Sequence, residues 1–593
     1  MFLVPDSQTL RPIVALLIVL CAACGSSDAE YESSVSAIGV ATLAPEGVAD
    51  LVIRNGKIAT LTEDAPEASA LAARSGRIVA VGNDTDVASW IGDETYLIDL
   101  AGRLAIPGFI EGHGHFMSLG NSKMILNLTG ANTWQEIVEM VAASAREAEP
   151  GSWVTGRGWH QEKWTVLPNP MIEGLPIHDG LSAVSPENPV VLTHASGHAS
   201  FVNAKALEIA GITRDTKNPD GGEIVRDASG EPTGMLRETA QRLVREVFAH
   251  AEAGRSAEEI ESVEREKVRL ANAELLRKGV TSFQDAGSGF ATIDLLKRMA
   301  EEGKLPVRLY VMIRGGYDEL AGRLADYRMI GYGDSRLTVR SIKQVVDGAL
   351  GSHGAWLLQP YADMPSSSGL ATNPPEQIER VARLAIEHGY QVNTHAIGDR
   401  GNREVLDLYE RTFVDHRGRT DLRWRIEHAQ HIDPVDIPRF GQLGVIASMQ
   451  GIHQCSDGPW VMLRLGEGRA RSGAYVWQDL MRAGAVVTNG TDVPVEDVDP
   501  LESYHCTVTR QLNNGSAFFA DQAMTREEAL RSYTISNAYA AFEEDIKGTL
   551  EVGKLADITI LSQDILTIPV DEILETEVDF TIVGGQTLYI REP

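Results

Sequence analysis

Eight short apolar runs, separated by segments of helical amphipathicity, constrain this chain more than any other feature. They fall at 108–111, 279–284, 307–313, 341–346, 391–394, 423–427, 445–449 and 485–489. Between them lie stretches such as 375–388, where Ile378, Val381, Leu384 and Ala385 form one stripe at helical spacing. Strands alternating with helices predict an α/β fold. Eight such units predict a (β/α)8 TIM-type barrel, whose chemistry gathers at the carboxyl ends of its strands.

The flanks read differently. From residue 50 the chain breaks into short β-type runs divided by turn residues, and similar text returns near the C-terminus. There, Gly584-Gly585 separates two runs and supplies the positive φ of a two-residue hairpin turn. A small composite β-sandwich domain is therefore expected from residues 47–106 and 545–593, around a barrel domain of 107–544. The gap between the first two runs is far longer than a helical crossover needs. An inserted subdomain at about 150–245 is expected there, over the barrel mouth, shaping a substrate pocket.

Residues 1–24 read as a lipoprotein-type signal peptide. Arg11 precedes an apolar run at 13–20, too short for a membrane span, and Leu-Cys-Ala-Ala-Cys24-Gly follows. Cys21 stands where such boxes usually carry leucine, so plain secretion and a retained anchor are the alternatives. Residues 25–46 read as a flexible tether. The expected location is the bacterial cell envelope, with membrane association only through lipid at Cys24; a soluble periplasmic or secreted form is the alternative. Cys455 and Cys506 remain, as one disulfide or as two ordinary thiols. A net charge of −30 argues against nucleic acid and anionic membrane surfaces as partners.

Metal-binding residue types fall at the run ends. His113 and His115 close Pro107-Gly-Phe-Ile-Glu-Gly-His-Gly-His115, and i, i+2 spacing puts both imidazoles on one strand face. Lys343 lies in the fourth run, His395 ends the fifth, His428 ends the sixth and Asp492 follows the eighth. Each alone has a plain structural explanation: a supporting histidine, an ion-paired lysine, an aspartate capping a helix. Histidine is only 15 of 593 residues, however, and four of them plus an aspartate would meet on one barrel face. That coincidence favours a site.

The chain resembles the amidohydrolase superfamily, and within it amidohydrolase family 3 (YtcJ-like). The resemblance runs from about residue 49 to the end. It rests on the His113/His115 motif, Gly156-Arg-Gly-Trp159, Gly197-His-Ala199, Pro232-Thr-Gly-Met-Leu-Arg-Glu238, Lys343 with Asp347-Gly-Ala-Leu-Gly351, Asn393-Thr-His-Ala-Ile-Gly-Asp399, Arg425-Ile-Glu-His-Ala-Gln430, Ser448-Met-Gln450, Gly490-Thr-Asp-Val-Pro-Val-Glu496 and Gly553-Lys-Leu-Ala-Asp557. It implies a TIM barrel with a composite β-sandwich, and ligands from strands one, four, five, six and eight. A protonated lysine has no lone pair, but a carbamylated (carboxylated) one bridges metals. The resemblance then implies His113, His115, Lys343 and Asp492 on one ion and Lys343, His395 and His428 on the other. A single ion with an ordinary Lys343 is the alternative. Imidazole and oxygen ligands suit zinc best, with iron, manganese or nickel compatible. A homodimer is allowed on family grounds.

The reaction implied is hydrolysis of a small-molecule amide at its carbon–nitrogen bond by a metal-activated hydroxide. Asp492 would act as general acid/base, and the second ion or a histidine (His395 or His428) would stabilise the oxyanion. An ester or lactone hydrolase, or a deaminase, could use the same site; a non-catalytic binding relative is the third reading. Two departures bear on the substrate: His160 and Ser196 stand where the family usually has aspartate. His160, His198 and His453 are candidate substrate contacts or loop supports. Trp159 and Trp164 are candidates to line an apolar pocket, or core residues.

Overall fold

A computed structural model describes residues 47–592 apart from 253, 255 and 513, so the signal peptide and tether expected at 1–46 lie outside the described residues. All eight apolar runs are strands of one sheet: β1 (Phe109–Gly114), β2 (Val280–Ser288), β3 (Arg308–Ile313), β4 (Leu337–Val345), β5 (Gln391–Ala396), β6 (Arg425–His428), β7 (Ile446–Ser448) and β8 (Val487–Thr488). Each pairs in parallel with the next. Between the first and last, the backbone of Gly112 donates to Asn489 O at 3.1 Å and that of Asp492 to His113 O at 2.7 Å. The barrel is thus nearly closed, and the seam joins the two strand ends that carry His113 and Asp492.

Why the strands stay put is plain from their burial. β1, β3 and β5 are buried at every residue, as strands covered on both faces must be. The helix expected at 375–388 forms over Pro375–His388, with proline in its first turn and Gly389 in the left-handed conformation ending it. Its apolar stripe of Ile378, Val381 and Ala385 is buried against the barrel, while Leu384 is only partly covered.

The two chain ends share a six-stranded sheet in the order Gln586–Ile590, Val578–Val583, Ile558–Leu561, Leu104–Pro107, Lys57–Ala59, Glu67–Ala68. A second sheet of Arg77–Gly82, Ala70–Arg74, Leu51–Arg54 and Tyr96–Asp99 shares an apolar cluster with it, including Ile53, Leu71, Ile98, Ile558 and Ile582. Gly584 and Gly585 both have positive φ (59° and 72°) and turn Val583 onto Gln586, as their sequence requires. Arg308 at the start of β3 anchors this sheet to the barrel: its guanidinium makes two hydrogen bonds, 2.7 and 3.0 Å, to the buried carboxylate of Asp557.

The segment between β1 and β2 carries its own six-stranded sheet, ordered Gly222–Arg226, Pro232–Glu238, Ala199–Val202, Val190–His194, Val154–Trp159, Leu126–Asn127. It begins at Leu126, ahead of the range of about 150–245 expected from the long gap between the first two runs. Its core holds Trp159 and Trp164, stacked at 6.0 Å, with Phe201 and Leu192. Trp159 is fully buried and its indole N–H donates to Leu192 O at 2.8 Å. Both tryptophans are therefore packing residues of the inserted unit and not pocket walls. Burying rings of this size contributes several kcal/mol to the unit's stability (about 3–5 on truncation).

Candidate metal centre

Three of the residues singled out from sequence offer donor atoms within 4.8 Å of one another: His113, His428 and Asp492, all buried. His113 lies near the end of β1, His115 just beyond it, and both rings reach one carboxylate. His113 Nε2 lies 3.5 Å and His115 Nε2 3.1 Å from the same Asp492 Oδ1. Lys343 Nζ lies 3.3 Å from His113 Nε2. His395 stands one ring further out, its centroid 4.4 Å from that of His428 and its Nε2 3.5 Å from Asp347 Oδ1. The structure thus brings His113, His115, Lys343, His395, His428 and Asp492 to one end of the barrel, with three of them at its focus.

Surrounding residues set the imidazoles' tautomers. His113 Nδ1 bonds the carboxylate of Glu427. His428 Nδ1 lies 2.8 Å from Gln450 Oε1, while Gln450 Nε2 is committed to Ser448 O at 3.1 Å. Gln450 therefore accepts, His428 Nδ1 carries the proton, and its Nε2 keeps a bare lone pair. Strand alternation alone would send Glu427 and His428 to opposite faces. His428 escapes it through a positive φ of 74°, and Asp492 likewise has φ of 57°. Such conformations cost roughly 1–3 kcal/mol each and persist where the surroundings over-determine them.

The electrostatics follow the burial. Burial opposes ionisation of Asp492, yet the hydrogen bond from His115 and the close imidazoles of His113, His115 and His428 hold it well below the usual carboxylate range. Burial likewise opposes charge on Glu427, but His113 and then Lys343 hold it down to about 2. Burial pushes the Lys343 ammonium down to about 8 against the pull of Glu427 and Asp492. His395 and His428 are driven well below the usual imidazole range, first by burial and then by neighbouring cationic groups. Burial lifts Asp347 to about 7, although the backbone N–H groups of Trp356, Ile397 and Gly398 donate to it.

These residues fit a divalent cation. His395 Nε2 is buried without a hydrogen-bond partner, a costly state unless something else satisfies it. The donors are imidazole nitrogen and carboxylate oxygen with no thiolate, a set used by zinc and other first-row ions.

Of the candidate substrate contacts, two reach this end. His198 has its ring 6.1 Å from that of His395, and its Nδ1 bonds Glu238 Oε2 at 2.9 Å. His453 stacks on His428 at 6.3 Å, with a buried and unpartnered Nε2. His160 instead packs 4.6 Å from His194 inside the inserted unit, and burial, then Lys163 and Arg464, lower it to about 4. Sequence reasoning missed Glu427, Gln450 and Asp347 as supports, although each stands inside a quoted motif; their neighbours in those motifs were the available signal. Cys455 and Cys506 form a disulfide, which excludes the two-thiol reading and ties the helix bearing His453 (Gly451–Leu465) to the one after β8 (Pro500–Thr509).

A barrel with such a centre places the chain among metal-dependent hydrolases, and comparison with known proteins agrees. The structure of an uncharacterized metal-dependent hydrolase from Pyrococcus horikoshii OT3 matches with a TM-score of 0.70 and 26% identity, over 88% of this chain and 99% of that one. Protein LONG AFTER FAR-RED 3 of Arabidopsis thaliana is 34% identical over 564 residues, 91% of this chain and 92% of its own length. N-substituted formamide deformylase of Arthrobacter pascens is 28% identical over 549 residues, covering 91% and 98%. The model of the amidohydrolase family matches residues 96–589, and this chain belongs to that family.

Proposed function

We propose that the chain is an amidohydrolase that cleaves the carbon–nitrogen bond of a non-peptide amide. The observation that carries this reading is the convergence of the buried donor atoms of His113, His428 and Asp492 within 4.8 Å of one another. His113, His115, Lys343 and Asp492 would hold one zinc ion, and Lys343, if carboxylated, would hold a second with His395 and His428. A divalent ion bound there would supply Lewis-acid polarisation of a carbonyl oxygen and a lowered pKa of bound water.

The chain's own residues supply the rest. Asp492, kept ionised by its histidine neighbours, orients the attacking water, takes its proton and passes it to the leaving amine nitrogen. Were only one ion bound, His395, whose Nε2 has no hydrogen-bond partner in the protein, would be free to stabilise the developing oxyanion. Glu427 and Gln450 hold the imidazoles so that little reorganisation is needed at the moment of reaction.

The bond type draws support from the formamide deformylase relative, whose name specifies an N-substituted formamide. The test is a panel of N-formyl and N-acetyl amines with matching esters and lactones, ammonia release being followed alongside. Amine release from the amides is expected. Preference for esters or lactones, or release of ammonia, overturns the amide reading in favour of the other reactions this site could run.

We further propose that the terminal sheets form one composite β-sandwich and that Cys24 anchors the chain by lipid in the cell envelope. The Cys455–Cys506 disulfide fits an oxidising compartment. A Cys24→Ser chain leaving the membrane fraction would support the anchor; retention there would contradict it.

A further inference from the structure

Three arginines from three elements stand around the approach to the candidate centre, and none has a carboxylate within ion-pair distance among the described residues. Arg157, on the inserted strand Val154–Trp159, reaches into the barrel: its Nε donates to Pro494 O at 3.3 Å, two residues beyond Asp492, and its Nη2 to Ala195 O at 2.9 Å. Arg245, on the helix Arg242–Glu252, is held by Gln241 Oε1 at 2.9 Å. Gln241 in turn donates to Gly197 O at 3.2 Å, and Gly197 also abuts the guanidinium of Arg157. Arg314 follows β3. Its stem and that of Lys343 both pack over the Cα of Gly287, and among the described residues no side-chain hydrogen bond holds its guanidinium.

Arg245 and Arg314 are exposed, and Arg157 is partly so, so all three are open to a ligand. The nearest acids are already engaged. Asp285 accepts from Phe116 N at 2.9 Å and Ser288 Oγ at 2.6 Å, and Asp492 faces His113 and His115. Burial and then the neighbouring Arg245 charge pull Arg157 down to about 10, although Asp492 opposes this, and Arg245 is lowered by burial and then by Arg314. Asp492 and Asp285 are the acids whose charges act on Arg157 and Arg314, but neither makes an ion pair with them and both are committed elsewhere, which leaves the guanidinium donors for an outside anion.

We propose that Arg157, Arg245 and Arg314 form an anion-binding rim, so that the amide taken by this site carries a carboxylate on its inserted-unit side. The guanidinium fork suits a carboxylate, which it meets with two parallel hydrogen bonds. Arg157, tied to carbonyls on both sides of the opening, sets the geometry of the rim; Arg245 and Arg314 have free donors for the ligand. This inference rests on the amide-hydrolase reading and names its substrate class.

The test is calorimetric binding of N-formylphenylalanine and its neutral counterpart N-formylphenylalaninamide to the zinc-loaded full chain, and to Arg245→Gln and Arg314→Gln. The acid is expected to bind at least about tenfold tighter than the amide, with added salt narrowing the gap. Each variant is expected to shrink the gap by roughly tenfold while leaving the neutral compound's affinity unchanged, which also shows that the variant is folded. Equal binding of the two compounds, undetectable binding of both, or a gap unaltered in both variants overturns the proposal. Turnover followed on the same samples separates the two readings: tight binding of the acid with no hydrolysis of either compound would contradict the amidohydrolase function and leave the anion rim standing.

Discussion

Gln450 Oε1 lies 2.8 Å from His428 Nδ1, and this contact determines which nitrogen of His428 faces the centre of the site. The amide of Gln450 is itself fixed by its bond to Ser448 O, so the tautomer of His428 is dictated through two hydrogen bonds that end at Ser448. The equivalent support for His113 comes from Glu427, across the barrel from strand six to strand one.

Glu427→Gln removes the charged acceptor behind His113 without changing its shape. Metal affinity is expected to fall by about 10–100-fold, as read by competition with a chelator, with the fold intact by circular dichroism. Unchanged affinity would mean that Glu427 holds the barrel and not the imidazole.

Asp492→Asn keeps an oxygen near His115 but cannot take a proton. Turnover is expected to drop by about 10²–10⁴-fold while most of the bound metal is retained. Near-normal turnover by the metal-loaded variant would remove Asp492 from its assigned role.

The eight strands, the helix Pro375–His388 and the face carrying the six candidate ligands were legible because each rests on periodicity or on residue type at a strand end. The supports were not. Alternation along a strand puts Glu427 and His428 on opposite faces, and nothing in a non-glycine residue announces the positive φ that turns His428 inward. Trp159 and Trp164 looked suited to a pocket as much as to a core; only the sheet beginning at Leu126 decides it, by enclosing both. The arginine rim was invisible for a similar reason, since Arg157, Arg245 and Arg314 meet only through the fold.

The Arg308–Asp557 pair joins the barrel to the terminal sheets, and it makes stability depend on pH. Burial works against ionisation of Asp557, but Arg308 holds its folded value below the ordinary carboxylate range. Its contribution is therefore fully present above the unfolded value of about 3.9 and is lost as pH falls through the lower folded value. Asp557→Asn leaves Arg308 buried and unpaired; it should cost about 3–5 kcal/mol in denaturant unfolding near neutrality and flatten this acid limb. A variant as stable as the parent would show the pair to be dispensable.

The disulfide gives a separate prediction. Reduction, or Cys455→Ser with Cys506→Ser, should lower stability by about 2–4 kcal/mol and the thermal midpoint with it. Thiol alkylation of the unreduced, unfolded chain should leave both cysteines unlabelled, and labelling of either would contradict the pairing.

Elemental analysis of the purified full chain, reconstituted with zinc and freed of excess, should find stoichiometric divalent metal in the parent and a large loss in His113→Ala and His428→Ala variants that remain folded. A parent chain with no retained metal, or variants that retain as much as the parent, would contradict a metal centre at His113, His428 and Asp492.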